Sequence, residues 1–453
     1  SLMQFQISTE LIEKIQFLIE QRNDEELLLH LEDVHHADIA EIITELSLDD
    51  ATYLVRLLDS GKTSEAIMEL EEGVRERILE TLSAKEIADE LVEMDTDDAA
   101  DIMNELSPEL QKQVISEIQD EQHAEDIVEL LRYPEDSAGG LMAKELVKVN
   151  ENWSVTGCMT EMRAQAENVT RVHSIYVVDD KNRLKGRLSL KDLLTAASNE
   201  NIRDVYIPNV DYVNVHTEGE EVARIMQKYD LEAIPVIDEM GRLVGRITID
   251  DIVDFIKEEA ERDYQMAAGI SEGVEADDNI FKQTRARLPW LLIGMFGGLG
   301  AAGIISGFQG AMAVFPKLLL FVPLIQATAG NVGVQSSAIV VQGLANGSLK
   351  GNIIAKRLLK ETSLALVNGI SIAMIVFIIS SVWFDTSYME SLSIGVALIS
   401  VILLAAMIGT VIPIVLDKNN IDPAVATGPF ITTSNDVFGI LTYFLIAKVI
   451  LGF

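Results

Sequence analysis

Apolar positions follow three different rules along this chain. From residue 5 to about 135 they recur at helical spacing in short pieces, with acids on the opposite face. Examples are Asp38-Ile-Ala-Glu-Ile-Ile, Ser64-Glu-Ala-Ile-Met-Glu-Leu, Glu86-Ile-Ala-Asp-Glu-Leu, Asp98-Ala-Ala-Asp-Ile-Met and Glu125-Asp-Ile-Val-Glu-Leu-Leu. Units of this kind bury their apolar face only by stacking, which predicts an all-α superhelix of helix pairs over 1–136. Leu131-Arg-Tyr-Pro134 closes that part, and Ala138-Gly-Gly-Leu-Met142 opens the next.

A strand pattern follows, and it occurs twice. Tyr176-Val-Val-Asp-Asp-Lys-Asn-Arg-Leu-Lys-Gly-Arg-Leu-Ser-Leu-Lys-Asp192 matches Pro235-Val-Ile-Asp-Glu-Met-Gly-Arg-Leu-Val-Gly-Arg-Ile-Thr-Ile-Asp-Asp251 at a constant offset of 59 residues. Each copy predicts a buried strand, a hairpin turn, a second strand and a helix capped by Ser/Thr-x-x-Asp. This resembles a tandem pair of CBS domains, an α/β module placed over 137–249. In that family the capping element often contacts the ribose of an adenosine nucleotide such as ATP. The resemblance puts that role on Ser189 with Asp192 and on Thr248 with Asp251. Plain helix capping accounts for the same residues.

From residue 250 a helix to about Met266 carries seven acids, among them Asp251, Asp254, Glu259 and Asp263. Such a helix repels itself unless cations or basic partners lie beside it. A polar linker runs to residue 284. The remainder, 285–453, holds five apolar segments, each long enough to cross ~30 Å of hydrocarbon. They are Trp290–Phe308, Leu318–Leu344, Leu364–Trp383, Leu392–Leu416 and Ala424–Phe453. Arg285, Arg287, Lys350, Lys356, Arg357, Lys360 and Lys418 flank them on one side, while Lys317, Asp385 and Glu390 lie on the other. With the soluble half cytoplasmic the positive-inside rule is met, and the C-terminus is extracytoplasmic. The second and fifth segments carry Pro323, Gly330 and Gly333, and Gly428-Pro429, which predicts interrupted backbone buried in protein or lining a cavity; the small residues also permit close helix packing.

Charge sharpens this division. The net charge of the 453 residues is −37, concentrated in residues 1–138, while the apolar part is near neutral. Strong acidity argues against nucleic acid and anionic lipid as partners of the soluble half and permits divalent cations. A single cysteine, Cys158, excludes an internal disulfide and fits a reducing compartment. The opening Ser1-Leu-Met-Gln-Phe leads into a charged amphipathic stretch and not a secretion signal. No P-loop, nucleophile–base spacing or His-rich metal motif points to an enzyme, and His35-His36 is an isolated pair.

One acid stands where lipid would be. Asp436 lies within Ile431-Thr-Thr-Ser-Asn-Asp-Val-Phe-Gly439, inside the last apolar segment, where an Asp costs about 2.5–3.5 kcal/mol. The other acids beyond Pro289 fall at segment ends or in connections. Asp436 is therefore expected to face a water-filled pathway and handle a cation, with Thr432 and Asn435 beside it. Asn331 is read either as pathway lining or as an interhelical hydrogen bond.

The order of modules, with Gly330-Asn-Val-Gly-Val-Gln335 and Asp422-Pro-Ala…Thr432-Thr-Ser-Asn-Asp436, resembles the MgtE family of magnesium channels or transporters across essentially the whole chain. The resemblance implies a homodimer in the plasma membrane, with the pore between subunits and one Asp436 from each on a hydrated Mg²⁺. That ion prefers oxygen ligands and keeps its waters. It also implies a cytosolic Mg²⁺ sensor on Asp97 and Asp101 of the helical part, Glu220 and Asp230 of the second CBS copy, Asp251, Asp254, Glu259 and Asp263 of the connecting, or plug, helix, and Asp422 at the membrane mouth. High internal Mg²⁺ would draw these faces together and close the pore. Three positions depart from the family pattern: Ala329, Gly428 and Arg262. The rival readings are transport of Co²⁺ or Mn²⁺, and a CBS-regulated membrane sensor that transports nothing.

Overall fold

The computed structural model describes residues 7–453 apart from 167–171, 173, 272, 275, 277 and 350–352, so Lys350 lies outside the described residues. The chain divides into two compact units, Ser1–Lys257 and Glu258–Phe453.

The first unit opens with ten short helices, from Thr9–Glu20 to Glu121–Leu130. Helices His36–Glu45, Ser60–Met68, Ala84–Leu91 and Pro108–Glu117 start 24 residues apart and pack each on the next. Stacking every second helix in this way builds the expected superhelix, with one core running from Ile15 through Leu54 and Ile87 to Ile127. Side-chain oxygens end the helices: Ser47, Ser107 and Asp120 cap the backbone, and Ser83 with Glu86 forms a reciprocal capping box. Ion pairs tie successive pairs together, Arg56–Glu86 at 2.7 Å and the largely buried Arg75–Glu105.

Another tie joins a hydroxyl to a buried carboxyl. Thr63 donates to Glu90 at 2.6 Å, and Glu90 is 8% exposed. Burial, with Asp89, Asp59 and Glu93 adding repulsion, pushes its carboxyl up to about 7. A carboxyl raised in the folded state contributes most stability below its ordinary value and loses it as pH rises from about 4.5 through about 7. Glu90→Gln keeps an acceptor for Thr63 and removes the charge. We expect it to flatten that pH dependence and to stabilise the helical part by on the order of 1–2 kcal/mol at pH 8. Hydrogen exchange of helix Ala84–Leu91 between pH 5 and 8 measures this; a slope equal to wild type would refute it.

The CBS pair forms two three-stranded sheets with identical plans. In the first, β1 (Val147–Asn150) pairs parallel to β2 (Ile175–Val178), which pairs antiparallel to β3 (Leu184–Leu188). In the second, β4 (Val213–Asn214), β5 (Ala233–Ile237) and β6 (Leu243–Thr248) repeat this, down to the same register shift at Val177/Val178 and Val236/Ile237. Both hairpins are held by an aspartate, Asp179 or Asp238, whose Oδ1 accepts two backbone N–H groups at 2.9 Å. Both need a left-handed residue, Asn182 (φ 60°) in one and Gly241 (φ 77°) in the other. The hairpins also join each other: Leu184 N donates to Gly241 O and Leu243 N to Asn182 O.

Among the described residues of the second unit five helices are long and apolar enough to cross a membrane: Ile280–Gly307, Pro316–Ala345, Ile354–Trp383, Tyr388–Lys418 and Pro429–Leu451. The second is not interrupted where the sequence suggested. A 3₁₀ turn, Pro316–Phe321, leads into an unbroken helix Val322–Ala345, because Pro323 falls in its first turn, where no N–H is required. Gly330 and Gly333 serve close packing instead. The fifth does break at its start: a 3₁₀ turn, Pro423–Ala426, is followed by Gly428 at φ 52° and a helix from Pro429. A Cβ at Gly428 would also run into the carbonyl of Ala267. The Lys317 ammonium donates to the Asp385 carbonyl, which puts these two connections at the same end of the bundle.

Candidate functional site

Asp436 sits one turn after Thr432 on the fifth span, so the two share a helix face. That face meets Gly330 of the second span. A Cβ at Gly330 would lie 3.2 Å from Thr432 Cγ2 and 3.9 Å from Asp436 Oδ1, so the glycine brings backbone close to the carboxylate. Thr432 and Asp436 are half-buried, and Asn331 next to Gly330 is exposed. Asn435, adjacent in sequence to Asp436, points elsewhere. It is 1% exposed, its Nδ2 fills the space that a Cβ on Gly333 would need, and neither amide atom has a hydrogen-bond partner. Consecutive helical residues differ by about 100°, which separates Asn435 from the face that carries Asp436.

A second buried acid escaped the sequence reading. Glu361 is 6% exposed within helix Ile353–Trp383. It accepts from Ser336 of the second span at 2.6 Å and pairs with Arg357 at 2.8 Å. Arg357, counted above as a flanking charge, is thus an internal partner. An acid and a base one helical turn apart can pair within the helix, and a hydropathy sum does not report that pairing.

Ahead of the fifth span, Asp422 Oδ1 caps the 3₁₀ turn through Ala424 N at 2.8 Å. Its charge bears on Asp263 of the connecting helix, Ile249–Ala267. Burial first, then Asp422 and Glu259, raise the Asp263 carboxyl. Arg262 pairs with Glu259 at 2.8 Å, so the basic departure noted above is absorbed within the helix.

The first unit gathers a denser group. Asp95, Asp97, Asp98 and Asp101 lie on or beside helix Thr96–Glu105, and Asp251 and Asp254 face them from the connecting helix. Asp97 is 7% exposed and its Oδ1 has no partner. Burial, then Asp98, Asp251 and Asp95, hold its carboxyl well above the usual range. Burial, with Asp251 and Asp101 next, pushes Asp98 up to about 8. Asp95 and Asp98 were not singled out from the sequence; both belong to the run Asp95-Thr-Asp-Asp98, and only packing shows which of its acids point inward. Glu220 and Asp230 stand at opposite ends of helix Gly219–Lys228, about 15 Å apart along its axis, so one ion cannot take both from a single chain. Among the described residues no three His, Cys, Asp or Glu side chains converge in a ligating arrangement. The oxygen-only donor set nevertheless fits an ion that keeps its waters.

Ser189 and Thr248 both act as caps. The Ser189 hydroxyl donates to Asp192 at 2.6 Å in a reciprocal capping box, and Thr248 donates to the Asp251 carboxylate through both its backbone N–H and its hydroxyl. Asp251 therefore serves two expectations at once, as a cap and as a member of the acidic group.

Comparison with known proteins adds three family matches. Residues 322–446 match the MgtE family, described as a divalent cation transporter; residues 34–136 match the MgtE intracellular N domain; and residues 138–199 and 202–258 match CBS domains. The chain is similar to the magnesium transporter MgtE of Thermus thermophilus, 31% identical over 93% of this chain and 94% of the relative. It is 29% identical to that of Bacillus subtilis over 97% of each, and 36% identical to that of Enterococcus faecalis over 73% of each. Among solved structures it resembles the cytosolic domain of the Mg²⁺ channel MgtE in complex with ATP, at 34% identity and a TM-score of 0.51 over 54% of this chain and 99% of that one. It also resembles the soluble part of a magnesium transporter, at 29% identity and a TM-score of 0.50 over 55% and 98%.

Proposed function

This chain belongs to the MgtE family of divalent-cation transporters, and on that premise we propose that it is a Mg²⁺-selective channel-like transporter of the plasma membrane, closed by Mg²⁺ on its cytosolic side. It is a transporter and not an enzyme. The observation that carries the reading is Asp436: a carboxylate inside an apolar helix, set against Gly330 backbone and Thr432. In a homodimer the twin carboxylates would hold a hydrated ion, and the membrane potential would drive it inward with about 4.6 kcal/mol per 100 mV for a divalent charge. An oxygen-only donor set with room for a retained hydration shell suits Mg²⁺, which dehydrates reluctantly.

Closure would run through the acids. Asp97, Asp98 and Asp251 repel one another, as do Asp263, Asp422 and Glu259 near the mouth. Divalent ions would favour the arrangement in which these faces meet, with Asp101, Asp254, Glu220 and Asp230 adding sites across or between subunits. An adenosine nucleotide at the CBS pair, through Ser189, Asp192 and Thr248, is supported by the ATP complex of the 34%-identical cytosolic domain. The N-terminal, CBS and plug parts are then cytoplasmic and the C-terminus extracytoplasmic. The boundaries proposed are 1–136, 137–249, 250–284 and 285–453.

Reconstituted liposomes test this. Mg²⁺ uptake should exceed Co²⁺ and Mn²⁺ uptake, and should fall as Mg²⁺ on the soluble face is raised. Uptake indifferent to soluble-face Mg²⁺ would overturn the gating, and no uptake at all would overturn the transport.

A further inference from the structure

Arg246 is a cation buried among acids. It is 5% exposed, on β6 of the second CBS copy. Its Nε donates to the Glu145 carbonyl, its Nη2 lies 4.0 Å from Asp95 Oδ2, and its Nη1 is buried without a partner. Its backbone exchanges hydrogen bonds with Ala143, and the following Lys144 N donates to Thr96 Oγ1 at 2.8 Å. Thr96 in turn donates to Glu145 at 2.8 Å. Arg246 is thus fixed at the junction of helix Thr96–Glu105 with the CBS pair. Its charge offsets part of the repulsion felt by both Asp95 and Asp251. Asp97, two residues from Asp95, keeps one carboxylate oxygen unpartnered in the same buried group.

The internal repeat supplies a control. Arg187 occupies the matching position in the first copy, 59 residues earlier, with the same Gly-Arg and the same strand. Arg187 is exposed. One scaffold position is solvent-facing in one copy and buried against acids in the other, so its sheet does not require the burial.

We infer that Arg246 is a resident monovalent cation of the acidic group, holding helix Thr96–Glu105 against the CBS pair when divalent ions are scarce and so setting how far the two separate. This rests on the reading of that group as a Mg²⁺ sensor. A guanidinium on a fixed strand cannot neutralise six carboxylates, so it stabilises the meeting of the faces only partly. A divalent ion completes the neutralisation, which makes the contact Mg²⁺-dependent without abolishing it in Mg²⁺-free conditions.

Hydrogen exchange of helix Thr96–Glu105 in the full-length protein, in EDTA and in saturating Mg²⁺, tests the inference. Arg246→Gln should speed exchange in EDTA by on the order of tenfold, and Mg²⁺ should return it to the wild-type rate. Arg187→Gln should change neither. Adding Asp95→Asn to Arg246→Gln should restore protection in EDTA. Asp95→Asn alone, which leaves the buried arginine in place, should slow exchange in EDTA below wild type and keeps the test open if Arg246→Gln does not fold. Arg246→Gln unchanged in EDTA would overturn the inference, as would fast exchange that Mg²⁺ does not reverse, since that marks a merely structural role. Wild-type exchange indifferent to Mg²⁺ would instead remove the sensor reading beneath it.

Discussion

Mg²⁺ uptake into liposomes carrying Asp436→Ala is expected to fall to that of protein-free liposomes, with the protein no less stable than wild type. The two halves of this expectation have the same cause. An aspartate in a spanning helix costs about 2.5–3.5 kcal/mol to insert, so removing it relieves the helix. Among the described residues the Asp436 side chain has no hydrogen bond or ion pair whose loss would offset this relief; a Cβ at Gly330 would lie 3.9 Å from its Oδ1. A residue kept for packing would show the opposite pattern, lower stability with flux preserved. Asp436→Asn sharpens the test, since it keeps the shape and removes the charge; it should lose flux almost as fully. Isotope or dye-reported Mg²⁺ uptake, beside a thermal melt in detergent, measures both halves. Undiminished flux in either variant would sink the pore assignment.

Glu361 makes the contrast. It too lies within a spanning helix, but Arg357 and Ser336 satisfy it, and it joins the second span to the third. Nothing about its local sequence separates it from an acid in a connection. A hydropathy sum sees a charge near a segment end, and only the helix azimuth shows that it faces inward. Asn435 makes the reverse contrast. Its place beside Asp436 in the sequence suggested the same pathway, yet one step along a helix turns a side chain by about 100°, and Asn435 is wedged against Gly333.

Where the sequence repeats itself the reading was most secure. The 59-residue offset of the CBS copies carried strands, hairpins and caps into the structure without slippage, because buried strands and left-handed turns each tolerate few residue types. The helical part repeats as regularly, every 24 residues, but only in its helix starts. Any apolar residue at the right spacing serves a helix core, so the period leaves little trace in residue identities. The second span was read as broken because Pro323 and its glycines suggest breakage. Their positions, one in the first turn and the others at helix contacts, decide otherwise. The acidic group was legible as a tendency and not as a set. Asp97 was expected, while Asp98 and Asp95 were hidden in a run whose members differ only in the direction they face.

That group is where charge removal should act most strongly on gating. Where these faces meet its carboxylates are buried against one another, with Asp98 raised to about 8 from an ordinary 3.8. Bringing the faces together therefore takes up protons between about pH 4 and about pH 8. In the absence of Mg²⁺ the closed arrangement is favoured below that window and is lost as pH rises through it. Asp97→Asn with Asp98→Asn removes both the repulsion and the sites for the ion. Neutral amides are far cheaper to bury than unpaired carboxylates, so the double variant should hold the faces together without Mg²⁺. Its flux is expected to be low at every soluble-face Mg²⁺ concentration, and flat between pH 6 and pH 8. Wild type should keep its steep Mg²⁺ inhibition at pH 8 and show a shallower one at pH 6, where protons replace part of the ion's work. If the double variant instead stays open at high Mg²⁺, the ion acts as an indispensable bridge, and relief of repulsion alone does not close the pore.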